Sequence, residues 1–153
     1  MADIRVQKED FSIEDEWGRC RERMAGRGGA LVAFTGLVRD LQDDELMGLY
    51  LEHYPGMTEK SIETIVENAS KRWSLLDVVV IHRVGKLLAR DQIVLVLVGS
   101  AHRGDAFAAC EFIMDLLKTE AVFWKKEIGR RSSRWIESTS DDYSRKVSWS
   151  VEG

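Results

Sequence analysis

The chain of 153 residues is long enough for one hydrophobic core and too short for two ordinary domains, so a single domain over 1–153 is expected. Apolar residues make up 44% and charged residues 31%, which excludes a disordered or collagenous chain; a net charge of −4 argues against nucleic-acid binding by bulk electrostatics, so any anion site must be local. The opening MADIRVQKED has no apolar leader core, the longest apolar run is the six residues Ile93 to Val98, and Cys20 and Cys110 form no CxxC, so no signal peptide, membrane span, disulfide framework or thiolate metal site is expected and the compartment should be the cytoplasm.

Ser12 stands before Ile13, Trp17, Cys20 and Met24, with Glu14 and Asp15 following it and Gly26 beyond, which predicts an amphipathic helix capped at both ends. The run GALVAFTGLV at 29–38 predicts a buried strand, and the acidic RDLQDDELMG after it an exposed loop. Residues 49–53 alternate as a short strand that stops at Tyr54-Pro55-Gly56. Thr58 is placed to cap a second helix, with Glu59 in its first turn and Ile62, Ile65, Val66, Ala69 and Trp73 as its buried stripe. Two β-rich segments follow, 76–84 and 92–100, joined by GKLLARD as a hairpin or short connection; the second is apolar on both faces and should lie centrally in a covered sheet.

Phe107, Cys110, Ile113, Met114 and Leu117 mark a third helix that ends near Lys118 or Thr119. VFWKKE and RWIES read as short strands, and the tail over 138–153 is weakly specified. The sum is an α+β domain with a mixed or antiparallel sheet and about three helices, because strands and helices do not alternate regularly as in a doubly wound fold.

Several cationic residues stand where elements end: Arg39, His102, Arg103, Lys118, Lys125 and Lys126. Such positions suit a focused anion pocket, though solvated surface charge has the same signature. His102 and Arg103 precede the third helix, whose free N–H groups favour a phosphate; His102 could equally cap that helix or pack at the sheet edge. If Lys118 and Lys125 meet, their repulsion lowers the pKa of one, leaving an amine that can act as base or nucleophile beside a cation that steadies anions. Strand alternation puts Phe123 with Lys125 on one face and Trp124 with Lys126 on the other, so one of the two adjacent lysines faces the pocket. Histidines 53, 82 and 102 lack metal-ligand spacing, Cys110 reads as a core thiol, Gly26, Gly28 and Gly29 as a turn, and the five tryptophans as packing residues.

FTGLVR at 34–39, LEHYPGMTEK at 51–60, VIHRVG at 80–85, SAHR at 100–103, FIMDLLKT at 112–119 and FWKKE at 123–127, in that order, resemble the large, catalytic subunit of molybdopterin synthase over roughly residues 4–137. The resemblance implies an α/β-hammerhead fold. It also implies a sulfurtransferase of molybdenum cofactor biosynthesis that inserts two sulfurs into cyclic pyranopterin monophosphate to form the molybdopterin dithiolene. No resident cofactor or metal is implied; the sulfur comes from the C-terminal Gly-Gly thiocarboxylate of a small ubiquitin-like subunit. A homodimer within a heterotetramer is implied as well, with some substrate contacts crossing to the neighbouring protomer.

Carried onto matching positions, substrate contacts fall at Leu37, Val38, Arg39, His102, Arg103, Lys118, Lys125, Lys126 and Glu127, with Lys118 and Lys125 catalytic. Lys118 is expected to be the acid, base or transient covalent partner, and Lys125 to hold the thiocarboxylate or the developing anion. Arg39, His102 and Arg103 would grip phosphate and pterin. Leu37, where relatives carry a basic or polar residue, puts one phosphate contact in question; Val122, where Pro is common, loosens the expected turn. Other classes compatible with the same residues are a non-catalytic module that captures an acidic C-terminal peptide, and a small anion-sensing regulator. Neither a nucleic acid nor a membrane is an expected partner.

Overall fold

A computed structural model describes residues 2–39, 46–129, 133–136 and 140–150. Strand β1 (Ala2–Gln7) leads into helix α1 (Ile13–Arg23), where Ser12 caps as its sequence requires: its hydroxyl accepts from the Asp15 N–H at 3.2 Å. Next come β2 (Ala30–Leu37), β3 (Leu46–His53), α2 (Met57–Arg72), β4 (Asp77–Arg83), β5 (Gly85–Leu88) and β6 (Gln92–Ser100), then α3 (Arg103–Leu117), β7 (Phe123–Gly129), β8 (Ser133–Ile136) and α4 (Ser140–Ser150). The described residues thus form four helices and two four-stranded sheets, in the orders β1-β4-β6-β2 and β5-β3-β7-β8.

The main sheet is mixed, because β1 runs parallel to β4 while β6 is antiparallel to both β4 and β2. Period-2 alternation sorts its core. Val78, Val80, Val94, Val96 and Val98 face α2 and α3, whereas Val79, Ile81, Leu95 and Leu97 face α1 with Cys20 and Met24. Strand β6, covered on both faces, therefore needs the unbroken apolar run that marks it in the sequence. Helix α1 is also tied down by charge: Arg23 Nε donates to the buried Asp77 carboxylate at 2.8 Å.

A smaller cluster, Val38, Leu51, Val84, Leu87 and Ile93, fills the seam between the two sheets. The chain crosses that seam directly, since β4 reaches β5 through Gly85, whose φ of +85° is a conformation that a residue with a side chain adopts only with strain. Gly56, at φ +86°, turns the chain into α2 in the same way.

Five expectations are corrected. Segment 29–38 lies at an edge of the main sheet and is not buried throughout: Phe34 is 40% and Leu37 55% exposed. The N-cap of α2 is Gly56, whose N–H donates to Glu59 at 2.9 Å; Thr58, two residues further in, accepts from the Tyr54 N–H and donates to the Val122 carbonyl at 2.6 Å. Phe107 does not belong to the buried stripe of α3 and is 61% exposed, its inward places being taken by Ala106 and Ala109. The tail contains a fourth helix, and GKLLARD contains a strand of the second sheet.

Candidate active site

Three of the expected cations come together at the seam. Lys118 caps the C-terminal end of α3 and is exposed. Lys125 lies on β7 opposite Leu51 of β3, and Leu51 is buried, so the lysine stem shares the inward face of the second sheet with Phe123 and the seam cluster. Arg39 extends beyond β2, just past Val38, whose N–H donates to the Asp91 carbonyl at 2.9 Å.

Electrostatics report the proximity. Burial, then the positive charge of Lys118 and a hydrogen bond with it, then Arg39, push the Lys125 amine down to about 8, while the Asp142 carboxylate of α4 works in the opposite direction. At neutral pH Lys125 is thus a mostly charged but easily discharged amine, in a place where water competes poorly for an anionic guest.

Behind the lysines stands His82 of β4. Its ring stacks on Phe123 at a centroid distance of 3.9 Å and an interplanar angle of 24°, joining the two sheets. Burial, together with the charges of Lys125, Lys118 and His53, pushes the imidazole down to about 3 although the Arg83 carbonyl favours its cation. The ring is therefore neutral, with Nδ1–H donating to the Arg83 carbonyl at 2.9 Å. The sign of the linkage follows. Below the ordinary histidine value of 6.5 the unfolded chain takes up a proton that the folded one refuses until about 3, so stability falls as pH drops through that window. The slope from this group is up to ~1.4 kcal/mol per pH unit. His82→Gln should flatten the stability profile from urea unfolding between about pH 6.5 and 5; an unchanged slope would remove His82 from this role.

The other expected residues are distributed as follows. His102 is the N-cap residue of α3, making no side-chain cap hydrogen bond, and Arg103 is its first residue; both are exposed. A helix rising 1.5 Å per residue puts them about 22 Å from Lys118 along α3, so one chain does not bring them to the lysines. Lys126 points to the opposite face of β7 from Lys125, in register with Tyr50. Leu37 is exposed at a β-bulge, and the Val38 side chain is core, 2% exposed. The Glu127 side chain lies outside the described residues. Val122 keeps the N–H that a proline would lack and donates it to Ser61 Oγ at 3.3 Å, so this turn is tied by hydrogen bonds to α2. Cys110 is a core thiol, pushed up to about 11 mainly by burial.

Residue reasoning missed His82 and Asp142 as neighbours of the lysines. His82 could have been found from strand alternation, which sets it on the same face of β4 as Val78 and Val80; Asp142 had no signal, because its helix was not expected. A groove along α1 sets Glu14, Asp15 and Glu22 against Arg19 and Arg21, and another between β1 and α2 sets Asp3, Glu63 and Glu67 against Lys71, so neither offers an anionic guest the excess of cations found at the seam. Among the described residues no three His, Cys, Asp or Glu side chains gather as a metal ion would need, and no helix is long and apolar enough to cross a membrane.

Comparison with known proteins places this geometry in context. A family model described as "MoaE protein" matches residues 6–120. The molybdopterin synthase catalytic subunit of Vibrio cholerae is 54% identical over 147 residues, 95% of this chain and 97% of that protein. A solved structure described as molybdopterin biosynthesis MoaE protein, from Burkholderia ambifaria, superposes with a TM-score of 0.85 at 49% identity, covering 98% of this chain and 99% of that one. The molybdopterin synthase structure from Staphylococcus aureus gives 0.77 at 32% identity, over 86% and 94% of the two chains.

Proposed function

The chain belongs to the MoaE protein family, and from that membership we infer that it is the catalytic subunit of a molybdopterin synthase, a sulfurtransferase of molybdenum cofactor biosynthesis that works with a second, small subunit. Its reaction is the transfer of two sulfurs from the thiocarboxylated C-terminal Gly-Gly of a small ubiquitin-like partner to cyclic pyranopterin monophosphate. The dithiolene forms and the cyclic phosphate opens. No resident cofactor takes part; the partner's thiocarboxylate is the sulfur source.

The observation that carries this reading is the convergence of Lys118, Lys125 and Arg39, from three separate segments, in a chain whose net charge is −4. A thiocarboxylate and a cyclic phosphate are both anions, and cations fixed beforehand stabilise negative charge as it shifts between them. Lys125, inward and desolvated, holds the thiocarboxylate or the developing anion. Lys118, at the pocket mouth, is the acid, base or transient covalent partner. Arg39 grips phosphate, and Leu37, Val38, Lys126 and Glu127 belong to the surrounding contact set.

His102 and Arg103 complete that grip from a second copy of the chain, because α3 holds them a helix length away from the lysines of their own copy. The working assembly is accordingly a homodimer with a small subunit at each end, a heterotetramer in the cytoplasm.

Mixing the purified chain with a thiocarboxylated small subunit and the cyclic pterin should yield dithiolene product. Tight capture of the tail without product would instead identify a non-catalytic binding module. In the same assay kcat/KM should fall as pH rises through about 8, because that quantity follows the free enzyme and Lys125 loses its cation there. A profile that climbs through this range would assign Lys125 the role of base.

A further inference from the structure

The inward stripe of α4 ends beside the lysines. Its half-buried positions are Asp142, Lys146 and Trp149, whose spacing of four and then three residues places them on one side of a helix. Trp149 Nε1 donates to Asp115 Oδ2 at 2.6 Å, Arg145 Nε donates to Asp115 Oδ1 at 2.7 Å, and Lys146 Nζ meets Glu120 Oε1 at 3.0 Å. The Trp149 ring packs edge-on against Trp73 and Phe112. Going from Trp149 back to Lys146, the partners on and after α3 advance from Phe112 and Asp115 to Glu120, so α4 runs antiparallel to α3. Its first turn therefore arrives where α3 ends, at Lys118, and there the Asp142 carboxylate attracts the Lys125 cation.

We propose that Asp142 is a positioning residue for the lysine pair, supplying the counter-charge that holds two amines and a guanidinium together in the unliganded pocket. This rests on the assignment of Lys118 and Lys125 as the site. The charged and titratable groups that act on Lys125 or on His82 behind it are Lys118 from the end of α3, Arg39 from the end of β2, Asp142 from α4, His53 of β3 and the neutral His82 of β4 itself. Two of them, Lys118 and Arg39, oppose the Lys125 cation alongside its burial, so removing the carboxylate shifts the balance toward the free amine. Until an anionic guest arrives, Asp142 keeps Lys125 charged and ready for it.

The test reads the Lys125 amine directly, by competitive acetylation across pH followed by mass spectrometry of the peptide. Asp142→Asn should lower the labelling midpoint by about half a pH unit or more, Asp142→Glu should leave it near the wild-type value, and Asp141→Asn, on the exposed side of α4, should not move it. Amide exchange over residues 140–150 checks that the helix stays docked. Equal midpoints in wild type and Asp142→Asn would overturn the proposal, as would equal falls in the Asn and Glu variants, which would mean that side-chain shape and not charge is responsible. In turnover, the alkaline fall of kcat/KM should move to lower pH in Asp142→Asn and return with Glu; a loss that is uniform across pH would indicate a merely structural role. Labelling needs neither substrate nor partner. A shifted midpoint in a protein that makes no product would therefore count against the catalytic assignment alone, and turnover with an unshifted midpoint against Asp142 alone.

Discussion

Lys118→Ala is expected to lower product formation by about 10³-fold or more while the protein still folds, because a positioned proton donor or acceptor contributes typically 10²–10⁴ and the cationic stabilisation is lost as well. The side chain is exposed, at a helix cap whose hydrogen bonds to Leu116 and Met114 are made by backbone, so its removal opens no cavity. Thermal unfolding should thus move little while turnover collapses. Lys118→Arg refines the comparison, since it keeps the charge but cannot give up a proton near neutral pH. Recovery in the Arg variant would reduce the role to electrostatics, and full activity in the Ala variant would end it.

Lys125→Met should do something less expected: abolish turnover and make the protein more stable. The folded state holds this amine at about 8, against 10.5 for an ordinary lysine. A folded value below the unfolded one means that the fold disfavours the cation, and the cost is present in full below about pH 8 and disappears as pH rises past 10.5. Its size is about 3 kcal/mol at pH 7, which for a chain of this length corresponds to a rise in Tm of roughly 5–10 °C when an apolar side chain of similar shape takes the place. The advantage of the Met variant should shrink between pH 8 and 10.5, which melting curves at the two ends of that range would reveal. A Met variant that melts lower at neutral pH would show that the amine is satisfied in the fold and not held there against its preference.

The sequence made three strands of the main sheet and three helices legible because their signals are local. Ser12 with its acidic first turn, the stripe from Ile62 to Ala69 and the unbroken run from Ile93 to Val98 each state their burial without reference to anything distant. Strand β1 and strand β5 were not legible, since a few residues between charges become strands only when another strand is there to receive them. Helix α4 failed for the same kind of reason: its mixed polar sequence is held by Asp115, Glu120 and an aromatic cluster contributed by α2 and α3.

For the site, strand alternation indicated that one of the adjacent Lys125 and Lys126 would face inward but not which, and the spacing of Lys118 and Lys125 left open whether they would meet. Nothing in the residues alone indicated that His102 and Arg103 would stand a helix length from Lys118, because the direction of α3 relative to the pocket is a property of the folded chain.

The flat contact between His82 and Phe123 bears on how the pocket receives its guest. One ring is embedded in the main sheet and the other is two residues from Lys125 on the strand that carries it, so that strand rests on a strut footed in a buried strand of the main sheet. Lys125 is therefore placed by packing between the two sheets, so that a bound anion would meet an amine already in position and not one that binding has to draw in.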